Sequence, residues 1–211
     1  NILGLVLPEP GGNPFYGHVI EAVSRCSREH GYETVVLLVT LQTQTSITEA
    51  AFYLEEHQVD GLLLFASPAH LGHYSAARRR DSPPMMAIGA PLDFGGPTVR
   101  ADEEQAGHAV TRHLLSLGHR RIAFLGPRGR VQSGSRQVGY VKAMAETGLP
   151  EFFIETGPGI EDARRRTLDI AREPGRPTAI VGFNDHIALG AMRALQELDL
   201  AVPGQVSVTG F

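Results

Sequence analysis

The stretch Pro177-Thr178-Ala179-Ile180-Val181-Gly182-Phe183-Asn184-Asp185 decides the fold. Its apolar run is not broken by alternating polar residues, so it reads as a strand buried on both faces, as in a parallel sheet. Downstream, Ile187, Ala188, Ala191, Leu195 and Leu198 recur at three- and four-residue spacing, the pattern of a helix with one apolar face. Asn184-Asp185 sits at the joint. Helix capping accounts for one of the two, assigned here to Asp185, which leaves Asn184 with a free amide.

The same unit recurs in both directions along the chain. Short apolar runs lie at residues 2–7, 35–39, 62–66, 85–88, 122–125, 152–154 and 206–209. Helical stripes fill the gaps, among them Phe15, Val19, Ala22, Val23 and Cys26, and Ala106, Ala109, Val110, His113, Leu114 and Leu117. Asn13 before Pro14 suits a cap and a first helical residue. Ser46 with Glu49, and Asp102 with Gln105, have capping-box spacing. Gly31, Gly118 and Gly148 stand where helices close in a left-handed residue. Strand and helix alternate throughout, so the class is α/β with parallel sheets.

An internal repeat divides this pattern. Residues 2–40 are answered by 121–156, with Gly31-Tyr32 matched by Gly148-Leu149, and Met86-Ala87-Ile88-Gly89 is matched by Ser207-Val208-Thr209-Gly210. Two similar lobes are expected, 1–100 and 101–211, with the boundary near 99–102. In open parallel sheets ligands bind beyond the carboxyl ends of the strands, which places 8–15, 67–70, 89–94, 126–136, 183–185 and Phe211 at the site.

Composition excludes several classes. The chain has 211 residues, 42% of them apolar and 20% charged, with a formal net charge of −4. That is a globular composition without the positive excess of a nucleic-acid-binding domain. No apolar run approaches the roughly 18–20 residues that span a bilayer, and no signal sequence is visible, which points to the cytoplasm. With one cysteine, Cys26, there is no internal disulfide, and its place on a helical stripe reads as core. The chain contains no Gly-x-Ser-x-Gly elbow and no phosphate loop ending in Gly-Lys-Ser/Thr. The nine histidines lack the spacing of a metal-ligand set. Neither catalytic residues, nor a metal, nor a cofactor is expected. Arg78–80 and Arg164–166 read as solvated helix faces.

The candidate ligand-binding residues are Asn13, Phe15, Tyr16, Arg136, Phe183 and Asn184. Two adjacent aromatics at a strand-to-helix turn cannot both face the core, so Phe15 or Tyr16 offers a flat apolar face to a ligand. Arg136, in a polar stretch at a helix start, suits either a plain surface arginine or a ligand clamp. Phe183 and Asn184 end a buried strand.

These residues carry a resemblance. The chain resembles the effector-binding core of the lactose-repressor/galactose-repressor family of bacterial transcription regulators. The matching stretches are Asn13-Pro14-Phe15-Tyr16, Val59-Asp60-Gly61-Leu62-Leu63, Leu117-Gly118-His119-Arg120-Arg121-Ile122-Ala123-Phe124, Pro177-Thr178-Ala179-Ile180 through Asn184-Asp185, and Val206-Ser207-Val208-Thr209-Gly210-Phe211. The resemblance implies a type I periplasmic-binding-protein-like fold with a ligand between two lobes, truncated at both ends: a helix-turn-helix domain would precede residue 1, and two further chain crossings would follow Phe211. It implies effector contacts from Phe15, Tyr16, Arg136 and Asn184, a homodimer, operator DNA as partner through the domain absent from this chain, and no membrane association. Many sugar-responsive members have Asp-Arg where this chain has Gly89-Ala90. With that acceptor gone, the site is tilted toward donors, and a ligand with an anionic or acceptor-rich group is favoured over a plain sugar. No charged partner for Arg136 is evident, so Arg136→Ala is expected to weaken effector binding with little effect on folding. The alternative to a regulator is a periplasmic solute-binding protein. A Rossmann-like enzyme is the further rival, and it lacks a catalytic constellation.

Overall fold

The structure, a computed structural model, describes residues 1–9, 14–40, 45–65, 68–89, 96–127, 135–157 and 159–211. Asn13 lies outside the described residues. The chain divides into two compact units, Asn1–Ala101 and Asp102–Phe211. The elements run β1 (Ile2–Pro8), α1 (Pro14–Glu29), β2 (Glu33–Val39), α2 (Ser46–Glu56), β3 (Gly61–Phe65), α3 (Pro68–Ala77), β4 (Met85–Ile88) and β5 (Thr98–Val99) in the first unit. The second holds α4 (Glu103–Ser116), β6 (Ile122–Gly126), α5 (Arg136–Ala145), β7 (Phe152–Glu155), α6 (Ile160–Ala171), β8 (Ala179–Gly182), α7 (Asp185–Glu197) and β9 (Ser207–Thr209).

The sheets have the orders β2-β1-β3-β4-β5 and β7-β6-β8-β9, and every strand pair is parallel. The second unit shows why its strands read as uniformly apolar. Along β6, Ile122 and Phe124 face a core with Leu114, Tyr140 and Met144, whereas Ala123 and Leu125 face another with Ala163, Ile187 and Leu195. Successive strand residues point to opposite faces, and both faces carry helices. The edge strands depart from this: Val35 and Leu38 of β2 and Phe152 of β7 are exposed. The two-residue β5 escaped detection because it is too short to show any period.

Three local expectations need correction. Cys26 is exposed rather than core. Helix α1 turns Tyr16, Val19, Ile20, Val23 and Ser27 inward, so Phe15, Ala22 and Cys26 stay outside. The stripe was read one residue out of phase. Helix α2 starts at Ser46 with Thr45 as its cap residue and no side-chain cap bond, so the Ser46–Glu49 box does not form. Arg78–80 lie beyond α3, where Arg78 donates to the carbonyls of Ser82 and Pro83 instead of lining a helix face. Two other signals hold: Asp102 accepts from the Gln105 backbone N–H at 3.0 Å, and Gly31, Gly118 and Gly148 have φ of 77°, 93° and 65°.

Two polar residues, buried Tyr140 and half-buried His119, tie the second sheet together. The Tyr140 hydroxyl donates to the Ile122 carbonyl and accepts from the Phe152 N–H, both at 2.8 Å, and burial pushes its pKa up to about 12. Tyr140→Phe leaves both backbone groups without this partner and is expected to cost about 2 kcal/mol in urea unfolding.

His119 contacts the Thr178 hydroxyl through Nδ1 at 2.9 Å and the Ser207 hydroxyl through Nε2 at 3.0 Å. It clasps the starts of β6, β8 and β9, and burial holds its pKa below 6.5. The folded state therefore binds its proton less readily than the unfolded state. The stability contributed by neutral His119 is complete above about 6.5 and is lost as pH falls through the folded value. The unfolding midpoint should drop on acidification from pH 7 through this window, and His119→Gln should flatten that limb. The carboxyls of Glu146 and Glu161, held below 4.5 by arginine and histidine hydrogen bonds, act only at lower pH.

Candidate functional site

In the second unit the carboxyl ends of the strands gather the candidate residues. Phe183 follows β8 and is held by its N–H on the Leu125 carbonyl at 2.8 Å. Asn184 comes next with extended backbone, and its Oδ1 accepts from the Ile187 N–H at 2.9 Å. The cap of α7 is therefore Asn184 and not Asp185, because the extended cap residue is the one whose side chain reaches back to the first turn. Capping engages Oδ1 and leaves the two Nδ2 hydrogens as the donors of the amide. The Asp185 N–H donates to the Phe211 carbonyl at 3.2 Å, which brings the chain after β9 beside the same helix start.

Arg136 is the first residue of α5, and its guanidinium is held on every side. Nη1 donates to the Phe183 carbonyl at 2.7 Å. Nε and Nη2 both donate to the Glu103 carboxylate, the latter at 2.9 Å. Its Cζ lies 4.6 Å from the Phe211 ring centroid and 5.6 Å from that of Phe183, within the range of cation–π attraction. The side chain is 22% exposed and that of Glu103 36%.

A glycine crossing produces this pair. A Cβ on Gly107 of α4 would collide with the Arg136 backbone, and one on Gly139 of α5 with the Glu104 carbonyl and the His108 nitrogen. The two helices touch backbone to backbone there. Glu103 stands one turn before Gly107 on the same face of α4, so the crossing delivers its carboxylate to Arg136. Outside the crossing, Lys142 pairs with Glu104, and Glu146 takes both His108 and Arg112, at 2.8 and 2.7 Å.

Two expectations fall with this geometry. Arg136 has a charged partner, so its removal will not leave folding untouched. Nor is the polarity tilted toward donors, since Glu103 places a carboxylate beside the guanidinium. Sequence reading missed Glu103 because its significance lies in a tertiary contact. The signal available was a pair of glycines inside helical patterns, a costly choice without a packing reason. Phe211, one of the strand ends expected at the site, stacks on Arg136, a contact that its sequence position does not reveal.

In the first unit, Phe15 and Tyr16 meet Phe65, the last residue of β3. The centroids lie 5.5 Å (Phe15–Tyr16), 5.9 Å (Phe15–Phe65) and 5.3 Å (Tyr16–Phe65) apart, all edge-on. Phe15 remains 49% exposed and Tyr16 is half-buried, which gives an apolar face at the carboxyl end of the sheet. Gly89, after β4, has φ of 79°. That left-handed backbone is one that glycine adopts without strain.

The sequence matches, over residues 1–211, the family described as periplasmic binding proteins and sugar binding domain of LacI family. The chain belongs to this family. It is 32% identical over 207 residues to the ribose operon repressor of Escherichia coli K12, covering 94% of this chain and 62% of that protein. The transcriptional repressor PurR of Aliivibrio fischeri strain MJ11 is 30% identical, with 94% of this chain and 61% of that protein covered. The chain thus spans about three-fifths of the length of these relatives. The fold is that of a dimeric Lac repressor with a carboxyl-terminal deletion, with a TM-score of 0.89 and 23% identity over 100% of this chain and 78% of that one. This member of the family thus has the α/β, parallel-sheet, periplasmic-binding-protein-like architecture expected from its βα repeats. Among the described residues no group of three or more His, Cys, Asp or Glu side chains is placed to hold a metal ion, and no helix is long and apolar enough to cross a membrane.

Proposed function

We propose that this family member is the ligand-sensing part of a bacterial transcriptional repressor, non-enzymatic and acting as a cytoplasmic homodimer. Its small-molecule effector is taken up by Arg136, Phe183 and Asn184 of the second unit and by Asn13, Phe15 and Tyr16 of the first. The observation that carries this reading is the convergence of a guanidinium, a preset amide and two aromatic rings on the carboxyl ends of β8 and β9, within a chain matched from end to end by a ligand-binding family. The relatives at 30–32% identity are repressors, which favours a regulator over a periplasmic solute-binding protein.

Effector binding shifts the population between two states of the sensing domain that differ in operator affinity. A coupling of about 1–3 kcal/mol changes that affinity roughly 5- to 150-fold. The DNA-binding function belongs to a helix-turn-helix domain outside residues 1–211. The test is a thermal-shift screen of the full-length protein against sugars, sugar phosphates, nucleobases and amino acids, followed by operator binding with and without each hit. A hit that changes operator affinity supports the reading. Sequence-specific, salt-sensitive duplex binding by residues 1–211 alone would overturn the assignment of DNA binding to another domain, since a chain of net charge −4 lacks the phosphate-neutralising excess that such binding needs.

A further inference from the structure

We propose that Glu103 is the specificity-determining residue of the site: by neutralising Arg136 it makes the effector pocket select neutral, hydroxyl-bearing ligands and refuse anions. The proposal rests on the sensing role above and deepens it. An arginine alone at the end of a strand would be an anion receptor, because its planar fork fits carboxylates and phosphates. Here Nε and Nη2, the edge that such an anion would occupy, already face the Glu103 carboxylate.

The groups that remain define what fits. A guanidinium has five N–H donors, and three are engaged by Glu103 and the Phe183 carbonyl. The two others stand beside a carboxylate whose oxygens each keep a further acceptor position. A hydroxyl can donate to Glu103 and accept from Arg136 together, so neighbouring hydroxyls match this arrangement. A carboxylate has no proton to give Glu103, and a phosphate, although it keeps a proton at neutral pH, is an anion that meets the negative charge of Glu103 at close range. Rejection by a like charge is how a binding site discriminates between ligands of similar shape. Asn184, whose Oδ1 caps α7, keeps two Nδ2 donors that suit a hydroxyl oxygen equally well.

Glu103→Gln is the direct test, because glutamine keeps an oxygen for Arg136 and removes the charge. The full-length native protein, E103Q and the double variant E103Q/R136Q are titrated with inorganic phosphate at constant ionic strength, and the unfolding midpoint and calorimetric heat are followed. E103Q should bind phosphate about tenfold or more tightly than the native protein, and the double variant should lose that gain. Glu103→Ala serves as the second charge-removing variant should E103Q not fold. The proposal is overturned if native protein binds phosphate through Arg136, as shown by loss of binding in R136Q. It is equally overturned if folded E103Q or E103A gains nothing, or if the gain survives removal of Arg136. Because inorganic phosphate is the probe, failure here leaves the operator assay of the sensing role unaffected, and failure of that assay leaves this result standing.

Discussion

Gly139→Val is expected to destabilise the second unit by about 3 kcal/mol or more, the upper part of the range for overpacking. The side chain would have to occupy space held by the Glu104 carbonyl and the His108 nitrogen, which are helix backbone and cannot rotate away. Separation of α4 from α5 is the only relief. That movement would also draw Glu103 from Arg136, so urea unfolding should show lower stability, and any effector that stabilises the native protein should lose its effect. Gly72 of α3 supplies the contrast, since nothing lies within 4 Å of its would-be Cβ. Gly72→Ala should therefore stabilise by up to about 1 kcal/mol, the helix-propensity difference. Opposite signs from two mid-helix glycines would show that contact, not propensity, governs Gly139.

Arg136→Ala should act on binding and stability together. Loss of a charged hydrogen bond in a partly desolvated site is worth about 1.5–3 kcal/mol, so effector affinity measured by calorimetry should fall roughly 10- to 150-fold. Stability of the second unit should fall by about 1–2 kcal/mol, because Glu103 loses its partner and the Phe183 carbonyl its donor, a cost moderated by the access of water to Glu103. Arg136→Ala combined with Glu103→Gln should cost less than the sum of the two, as expected for side chains in direct contact. Unchanged affinity in both Arg136→Ala and Phe15→Ala would remove these residues from the effector site.

The sheets were legible because their strands are apolar on both faces, and the helices because Asp102, Gly31, Gly118 and Gly148 mark their ends with side-chain and backbone chemistry that works locally. The candidate residues Phe183, Asn184 and Arg136 could be placed near one another because Phe183 and Asn184 follow β8 directly and Arg136 opens the helix that follows β6. What stayed hidden was set by tertiary contact. The pairing of Glu103 with Arg136 depends on two helices touching at Gly107 and Gly139, a contact between residues about thirty positions apart that no local pattern records. The rotation of α1 is hard to read because Val19 and Val23, which do face inward, form a stripe equally well with exposed Phe15, Ala22 and Cys26 or with Tyr16, Ile20 and Ser27, and the inward set includes a polar serine.

The cap formed by Asn184 gives its amide a fixed sense of donation. An uncommitted asparagine can turn its amide to suit whatever arrives, whereas this one cannot flip without exposing the first turn of α7. A ligand at this helix end would meet a permanent pair of hydrogens, chosen by the helix and not by the ligand. Aspartate caps a helix as well as asparagine does, so Asn184→Asp would preserve the fold yet present an acceptor where a donor had been. A single atom exchanged at a helix end would thus rewrite which face of a ligand is welcome while the architecture that holds it stays as it was.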